Sequence, residues 1–547
     1  MVLTLLNPAV VASPALKALV PSSVISPISV ARLAALLRYH PDQTLATYLV
    51  SGFTFGFSLG VHGVIRSGSL PNLASSRLNP EAVSAAIAKE VSRGHSHGPF
   101  PHPPFSLFHA APLGLVAKKT GDFRLILDFS VNHDLAVNAG IDLLDFPVRY
   151  CSFDDAVALV REAGPSAFMA KLDIKHAFRL CPVRPSDWPL LCFHWQGSFY
   201  FDSRLPFGLR SSPFIFNTLA DALQWCCFFF LSIACLIHYL DDFFLCYPSR
   251  DLCASALSNI VALFSHLGVP LAPAKVVGPL PVLTFLGIEI DAPLHQIRLP
   301  SDKFEALMLA LTEWEGRSRC TKRQLLSLIG HLSFAAKVVK PGRLFLRRLI
   351  TLSSSVTELS HHIYLSADAR ADIRWWLDFL PSWNGVSVIP PPPVSNIDLH
   401  LFTDASSHGI GGWFRDSWFS FPLSRFSALP CKPDSFNITF WELFALVVAV
   451  FTWSDRLRGR EVVLNTDNEA LVFVWSNGSR HPAIMRLVRS LFSRSASLSI
   501  NLLFHHIPGT TNVNADLLSR LQVDHFLHIN PGVAPAPAQL PAAVWDI

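Results

Sequence analysis

The chain has 547 residues, of which 50% are hydrophobic and 11% aromatic, so it can bury large cores and three or four folded domains are expected. Its net charge of +4 is too small to indicate a polyanion partner. The ten cysteines include no Cys-x-x-Cys pair or zinc-spaced Cys/His array, which disfavours a disulfide framework and a zinc site and fits a reducing, intracellular setting. The longest apolar stretch, 225–237, is shorter than the about 20 residues of a membrane-spanning helix, so no membrane partner is expected.

Hydrophobic periodicity and proline content divide the chain. Residues 1–30 are apolar, carry four prolines and lack the basic start of a secretory signal, which is typical of a flexible leader. Further along, the pattern predicts mainly helices at 30–92, a mixed α/β region at 113–292 and mainly helices at 301–380. Thr321 and Gln324 form a T-x-x-Q capping box at the start of one of these helices. After a proline-rich linker at 389–395, strands and helices alternate again.

The segment HYLDDFFL, residues 238–245, places Asp241 and Asp242 inside an apolar run. The flanking residues predict a β-hairpin whose tight turn carries both carboxylates. Because a buried carboxylate without a partner is costly, a cation is expected nearby. Asp173 in LDIKHAF stands where a strand gives way to a helix, so it could join the pair. Three such carboxylates suit two Mg²⁺ ions in phosphoryl transfer, and the alternative is a solvated Asp-Asp turn.

The C-terminal third contains a second series of acidic residues. Asp404 lies on a predicted strand, and Glu442 lies in the first turn of the apolar helix WELFALVVAVFTW. Asp467 follows a further strand, and Asp516 belongs to NVNADLLSR. The alternative to a catalytic role is helix capping, since Asp and Glu are favoured at helix starts.

The motifs around the first carboxylate set resemble those of reverse transcriptases. The box YLDD at 239–242 resembles the metal-binding hairpin of that family, and LDIKHAF resembles its first metal strand. LPFGLRSSPFIF at 205–216 is similar to the loop and helix that hold template and nucleotide. VAKKTGDFRLILDFS at 116–130 resembles the fingers hairpin, and LTFLGIEI at 283–290 resembles the primer grip. The resemblance implies an enzyme that copies RNA, and then DNA, into DNA.

This resemblance also implies roles for individual residues. Contacts to the incoming dNTP or the template are implied for Lys119, Arg124, Phe178, Phe207, Gly208, Arg210 and Tyr239. Lys275 matches the lysine that protonates the leaving pyrophosphate. Phe178 would exclude a 2′-hydroxyl, and Gly208 would let the backbone approach the nucleotide. The alternatives are exposed charges for the hairpin residues and Arg210, a core position for Phe178, an ordinary turn for Gly208 and a surface lysine for Lys275.

The order Asp404, Glu442, Asp467, Asp516 resembles ribonuclease H, where two metal ions activate water against the RNA strand of a hybrid. His506 matches the mobile histidine of that family. Two ions of Mg²⁺ or Mn²⁺ per active site are therefore implied as cofactors. Three arginines at near-helical spacing either follow a duplex backbone or form a solvated helix face. They are Arg343, Arg347 and Arg348.

Segments such as RYHPDQTLATYLVSGFTFGFSLGVHG and HHIPGTTNVNADLLSR resemble DIRS-type retrotransposons, which use a tyrosine recombinase, and this likeness covers roughly 31–525. Gypsy-type elements and pararetroviruses share the PFGL and Y-x-D-D motifs. The implied fold is a multidomain α/β (α+β) chain, a right-hand polymerase followed by an RNase H-like domain. In order, it has a leader at 1–30, a helical N-terminal extension at 31–104, fingers and palm at 105–298, a helical thumb or connection at 299–388, the linker at 389–395, the RNase H-like domain at 396–525 and a disordered tail at 526–547.

The implied partners are an RNA template, a DNA primer, RNA–DNA hybrids and dNTPs, with an element-encoded Gag-like protein and tyrosine recombinase as further candidates. The implied location is the cytoplasm or the nucleus. One alternative is a co-opted or decayed element protein that binds nucleic acid without catalysis, although every metal-binding carboxylate is intact. A second is an RNA-templated RNA polymerase, against which Phe178 argues.

Overall fold

A computed structural model describes residues 2–4, 24–117, 123–131, 136–383, 386–389, 399–430, 432–433, 435–479 and 481–547. The chain divides into two compact units. Unit 1 comprises Met1–Leu159 and Ala167–Leu280, and unit 2 comprises Val160–Ser166 and Pro281–Ile547. Most of the predicted leader and of the proline-rich linker lies outside the described residues, as does Lys119.

Unit 1 contains helices and short strands in alternation. Its helices are α1 (Val30–Leu37), α2 (Gln43–Phe55), α3 (Ala74–Leu78), α4 (Pro80–Ser92), α5 (Phe153–Ala163, which crosses into unit 2), α6 (Ser212–Leu231) and α7 (Arg250–Leu267). Its strands are β1 (Val2–Thr4), β2 (Val64–Arg66), β3 (Gly68–Ser69), β4 (Ser96–Phe100), β5 (His109–Ala110), β6 (Leu113–Ala117), β7 (Phe123–Leu127), β8 (Phe168–Asp173), β9 (Cys192–Trp195), β10 (Ser198–Asp202), β11 (Leu236–Tyr239), β12 (Asp242–Tyr247) and β13 (Val277–Leu280). The predicted mixed α/β class is confirmed.

The described residues of unit 1 form four sheets, of which the smallest pairs β1 with β2. The four-stranded sheet with order β11-β12-β8-β13 is called the palm sheet here. A five-stranded sheet has the order β3-β5-β9-β10-β4, and β6 pairs with β7 in an antiparallel hairpin. The N-terminal helices share one hydrophobic core with the palm, because Leu37 and Phe53 belong to the same buried cluster as Phe216, Phe243 and Phe264. The N-terminal extension is thus an integral layer of unit 1.

Helix α6 follows the LPFGLR loop and forms the centre of this core. Among the described residues it alone is long and apolar enough to cross a bilayer by length and composition. Its hydroxyl and amide side chains at Ser212, Asn217 and Thr218 are buried together with Ile215 and Leu219. In the most apolar 18 residues of this helix, 56% are buried inside the protein, and a core helix of a folded domain has the same length and composition.

Unit 2 begins with a small sheet and a helical region and ends with a larger sheet. Its helices are α8 (Ser301–Thr312), α9 (Lys322–Ala335), α10 (Arg347–Ser353), α11 (Ala367–Ser382), α12 (Ile438–Thr452), α13 (Ser454–Leu457), α14 (Glu469–Asn477), α15 (Pro482–Ser497), α16 (Val513–Ser519) and α17 (Val523–Ile529). Its strands are β14 (Val282–Phe285), β15 (Ile288–Asp291), β16 (Gln296–Arg298), β17 (Arg319–Thr321), β18 (His362–Tyr364), β19 (Val386–Val388), β20 (His400–Ala405), β21 (Gly409–Phe414), β22 (Ser417–Pro422), β23 (Glu461–Thr466) and β24 (Asn501–His506).

In the helical region of unit 2, the capping box agrees with the prediction and the surroundings of Arg348 differ from it. The capping box of α9 is confirmed, because Thr321 and Gln324 each bond the backbone N–H of the other. Arg348, by contrast, does not lie on a fully solvated helix face, because it is engaged by other residues of unit 2. Its guanidinium donates to the carbonyl of Ser479 at 2.9 Å and lies 3.5 Å from the buried carboxylate of Asp372. Its charge is therefore used inside unit 2.

The large sheet of unit 2 has the order β22-β21-β20-β23-β24, with β20, β23 and β24 parallel. The apolar helix α12 packs on this sheet and is buried along nearly its whole length. The prediction of a disordered tail at 526–547 is wrong for this structure. Phe526 and Val544 are fully buried, and the N–H groups of Ala534 and Ala538 donate to the backbone beside and within β22 at 2.7 Å. The tail therefore covers an edge strand that would otherwise expose its backbone.

Candidate active sites

The first candidate site lies at one end of the palm sheet. Asp173 is the last residue of β8 and Asp242 the first of β12, and the two are direct partners in the antiparallel register. Asp241 lies in the turn between β11 and β12, after Leu240, whose φ is +53°. The N–H of Ile174 donates to the carbonyl of Asp241 at 3.0 Å, which ties the turn to the end of β8. The structure thus brings the three predicted carboxylates together.

The electrostatics of this cluster favour a cation. Burial, together with the carboxylates of Asp241 and Asp173, raises the pKa of Asp242 to about 6. Burial also raises the pKa of Asp241, and Asp173 adds to the effect. In the chain itself the cation is Lys275, whose Nζ donates to Asp173 Oδ2 at 2.5 Å while 62% of the side chain stays exposed. Lys275 can therefore leave this carboxylate when a stronger cation binds there.

Several residues predicted to contact the nucleotide lie next to one another. Phe178 lies in a 3-10 turn, Ala177–Leu180, that follows Asp173. Its ring centroid is 5.1 Å from that of Phe207 and 5.8 Å from that of Phe216 on α6. The guanidinium of Arg124, on β7, stacks over the Phe207 ring at 4.9 Å. Three predicted nucleotide contacts, Arg124, Phe178 and Phe207, therefore form one continuous surface.

Gly208 occupies a position that a larger residue could hardly fill. Its φ is +98°, and a Cβ there would lie 2.7 Å from the carbonyl oxygen of Leu127 on β7. The side chain of Asn138 holds the loop, donating to the Gly208 carbonyl at 2.9 Å and accepting from the Arg210 N–H at 3.0 Å. The side chain of Arg210 is exposed. Sequence patterns gave no sign of Asn138, because its partners lie about 70 residues away along the chain.

Tyr239 has a neighbour that the sequence did not indicate. The ring of Tyr150 lies 5.0 Å from that of Tyr239, and 43% of Tyr150 is exposed. On the preceding residue of β11, His238 Nε2 contacts Asp221 Oδ1 at 2.9 Å. The strand that leads into the Y-x-D-D turn thus contacts both Tyr150 and Asp221. Tyr150 precedes a helix start and carries no motif of its own.

The second candidate site lies on the large sheet of unit 2. Asp404 is on β20, Glu442 is near the start of α12, and Asp467 follows β23. One carboxylate oxygen from each of the three lies within 4.8 Å of the others. Among the described residues, these three acidic side chains lie close enough together to hold one metal ion.

Two side chains hold this triad in place. Asn468 Nδ2 donates to Glu442 Oε2, and Ser519 Oγ donates to Asp404 Oδ2 at 2.6 Å. The pKa of Glu442 is raised to about 7, mainly by burial and also by the carboxylates of Asp404 and Asp467, while the hydrogen bond from Asn468 partly opposes the increase. Burial likewise raises the pKa of Asp404 to about 6. Neither Asn468 nor Ser519 was predicted, although each lies within three residues of a predicted carboxylate.

The remaining residues predicted for this site lie at its edge. Asp516 Oδ1 accepts a hydrogen bond from Arg520 Nε at 2.7 Å, so its carboxylate is paired with an arginine four residues further along the chain. His506 is the exposed last residue of β24 and pairs in register with Thr466 of β23, directly before Asp467. The roles assigned to Asp516 and His506 stay predictions.

Comparison with known proteins decides the class of the first site. Residues 116–290 match the family model "Reverse transcriptase (RNA-dependent DNA polymerase)". This segment is a reverse transcriptase domain. It contains the first carboxylate site, with Asp173, Asp241 and Asp242, and also Arg124, Phe178 and Gly208.

Similarity to other proteins covers more of the chain than residues 116–290. The Transposon Tf2-3 polyprotein of Schizosaccharomyces pombe is 21% identical over 81% of the chain, and the Retrovirus-related Pol polyprotein from transposon opus of Drosophila melanogaster is 23% identical over 77%. The chain spans 31% and 41% of these two polyproteins, about a third of their length. A solved structure of the foamy viral protease-reverse transcriptase dRH with double-stranded DNA is 14% identical, with a TM-score of 0.49, covering 90% of this chain and 85% of that one.

Both sites offer ligands that suit a divalent cation. Hard cations such as Mg²⁺ and Mn²⁺ prefer carboxylate oxygens, and both clusters consist of these. Burial, and after it the neighbouring carboxylates, raises the pKa of Asp242 and of Glu442, so the ionised form of each is disfavoured and a bound cation would stabilise it. The donor sets of the reverse transcriptase domain and of the second site therefore fit metal ions.

Proposed function

We propose that the chain is an RNA-directed and DNA-directed DNA polymerase that also cleaves the RNA strand of RNA–DNA hybrids. The observation that supports the polymerase is the register of the palm sheet, which joins Asp173 to Asp242 beside the turn of Asp241, within a segment that matches reverse transcriptases. The observation that supports RNA cleavage is the triad Asp404, Glu442 and Asp467 on a separate sheet.

Two divalent cations at each site, Mg²⁺ or Mn²⁺, would supply activation of the attacking oxygen and stabilisation of the leaving oxygen. The polymerase ions would be held by Asp173, Asp241 and Asp242. Those of the second site would be held by Asp404, Glu442 and Asp467, with Asp516 at the rim.

The chain's own residues bind and orient the substrates. Arg124 presents a guanidinium to the triphosphate, and Phe207 and Gly208 shape the surface beside it. Phe178 excludes a 2′-hydroxyl and so selects dNTPs. Burial lowers the pKa of Lys275, but the hydrogen bond to Asp173 and the carboxylates of Asp173, Asp242 and Asp241 together outweigh burial, so the pKa lies above its usual value. Nζ therefore carries a proton that it can give to the leaving pyrophosphate.

The proposal extends to the type of element, its partners and its location in the cell. The N-terminal and C-terminal motifs support a DIRS-type retrotransposon as the source. Its template would be element RNA, and its partners would include a Gag-like protein and a tyrosine recombinase. We place its action in the cytoplasm or the nucleus, where the template and the integration target are found.

The test is dNTP incorporation on a poly(rA)–oligo(dT) substrate with Mg²⁺ or Mn²⁺, compared with EDTA. Asp242→Asn should abolish incorporation, whereas Asp251→Asn, an exposed aspartate in the first turn of α7, should not change it. Tight binding of the hybrid without metal-dependent incorporation by the wild-type chain would contradict the proposal and favour a non-catalytic nucleic-acid binder.

A further inference from the structure

A buried charged cluster is centred on Arg179, the residue after Phe178, and neither candidate site uses it. Arg179 follows Phe178 in the 3-10 turn, and its side chain is only 11% exposed. Its Nη1 donates to Asp202 Oδ2 at 2.6 Å and to the Arg204 carbonyl at 3.4 Å, and its Nε lies 3.3 Å from Glu90 Oε2. One guanidinium thus joins two carboxylates from different parts of the chain.

The N-terminal extension supplies half of this cluster. Glu90 lies on α4, and the segment SHGPF that comes a few residues after this helix forms β4 beside β10. Ser96 Oγ donates to Asp202 Oδ1 at 2.5 Å, and His95 Nδ1 contacts Glu90 Oε2 at 3.0 Å. His97 Nε2 contacts Ser203 Oγ at 2.9 Å. Each polar side chain of the His-Ser-His segment therefore contacts either Glu90 or the end of β10.

The charge of Arg179 is maintained inside the fold. Burial lowers the pKa of Arg179, but the carboxylates of Asp202 and Glu90 outweigh burial, so the net pKa is above its usual value. A buried ion of this kind is held in one geometry only while its partners remain, because an unpaired buried charge is strongly unfavourable. Removing either carboxylate should therefore disturb Arg179.

Arg179 and Phe178 are linked through the short turn that carries both. The N–H of Arg179 donates to the His176 carbonyl at 2.7 Å, and the N–H of Cys181 donates to the Phe178 carbonyl at 3.1 Å. The Phe178 ring contacts Phe207 and Phe216, whereas the Arg179 side chain contacts Glu90 and Asp202. Consecutive side chains thus anchor the turn to two different surroundings, so a displacement of the turn at Arg179 also displaces the backbone that carries Phe178.

We propose that Arg179, held by Glu90 and Asp202, is a positioning residue that fixes Phe178 and thereby sets the discrimination between dNTPs and rNTPs. The N-terminal extension is then part of nucleotide selection without touching the nucleotide. This inference rests on the proposed function, because it concerns how the polymerase site chooses its sugar.

The experiment measures kcat/KM for dCTP and for CTP on one primed template with the full chain. Arg179→Met should lower the dCTP/CTP ratio at least tenfold, mainly by raising kcat/KM for CTP. Arg179→Lys keeps one charge but cannot reach both carboxylates, so its ratio should fall between those of Arg179→Met and the wild type. Glu90→Gln should also lower the ratio, since it weakens one of the two anchors.

The matched control is Arg184→Met. Arg184 pairs with Asp187 at 2.8 Å in the same unit but makes no contact with Phe178, so its loss should leave the ratio unchanged. Phe178→Val sets the largest change that the sugar gate can give. Thermal unfolding of each variant identifies any that fails to fold, and Arg179→Lys and Glu90→Gln then carry the test in place of Arg179→Met.

The outcomes separate this inference from the function beneath it. Absence of incorporation by the wild-type chain would overturn the proposed function and this inference together. An unchanged dCTP/CTP ratio in Phe178→Val would show that Phe178 does not select the sugar, and Arg179 could then have no role in selection through it. A lowered ratio in Phe178→Val with an unchanged ratio in folded Arg179 and Glu90 variants would overturn this inference alone.

Discussion

Replacing Glu442 by Gln should stabilise the metal-free protein at pH 8 and leave its stability at pH 5 nearly unchanged. Burial, with Asp404 and Asp467 adding to it, raises the pKa of Glu442 from its ordinary 4.5 to about 7 in the folded chain. A carboxyl group whose folded pKa is above its unfolded value favours folding when protonated, and that contribution is lost as the pH rises from about 4.5 through about 7. Above pH 7 the metal-free protein is destabilised by the full free energy of holding ionised Glu442 in a buried position.

The size of the effect follows from the same values. A pKa increase from 4.5 to about 7 corresponds to about 3 kcal/mol of folding free energy. Glutamine removes the charge and can still accept the hydrogen bond from Asn468, but it buries an amide, so we expect a gain of about 2 kcal/mol at pH 8. With saturating Mn²⁺ the sign should reverse, because glutamine is a weaker metal ligand than a carboxylate.

The assay is urea unfolding in EDTA, followed by tryptophan fluorescence at pH 8 and pH 5. The matched control is Glu461→Gln, because Glu461 is exposed at the start of β23 and accepts only a surface hydrogen bond from Asn501. It should change stability by less than about 0.5 kcal/mol at either pH. Equal stability of Glu442→Gln and the wild type at pH 8, or the same gain at both pH values, would refute the reasoning.

Three further predictions use other parts of the chain. Gly208→Ala, which places a Cβ 2.7 Å from the Leu127 carbonyl at a φ of +98°, should lower dNTP incorporation at least tenfold, and wild-type rates in a primer-extension assay would show that the loop can adjust. Asn468→Ala should slow hybrid cleavage on a labelled RNA–DNA duplex but not DNA synthesis, since it releases Glu442; a parallel loss of synthesis would argue against this separation. Phe526→Ala should lower the unfolding free energy by about 3–5 kcal/mol in urea titrations, whereas no change would mean that the tail does not pack.

The carboxylates were predictable because short motifs fix their local structure. An apolar run interrupted by two aspartates predicts a hairpin turn. In the structure β8 and β12 lie side by side and antiparallel, so the last residue of β8, Asp173, pairs with the first residue of β12, Asp242. The capping box at Thr321 was equally local, since its two partners are three residues apart. Local signals of this kind need no knowledge of the rest of the fold.

Contacts between distant segments could not be predicted in this way. Asn138 reaches Gly208 and Arg210, and Arg179 reaches Glu90, only after several layers have packed. The tail was misjudged because proline and alanine content indicates an extended chain, yet an extended chain can still bury Val544 and bond to a strand edge. Composition does not show whether a folded surface is available to receive such a segment.

The central claim is that two separate carboxylate sites in this chain perform two different reactions. It is tested most directly by assaying DNA synthesis and hybrid cleavage side by side in Asp241→Asn and in Asp467→Asn. The account predicts that Asp241→Asn loses synthesis and keeps cleavage, and that Asp467→Asn does the reverse. Loss of both activities from either folded variant, or retention of synthesis in Asp241→Asn, would contradict it.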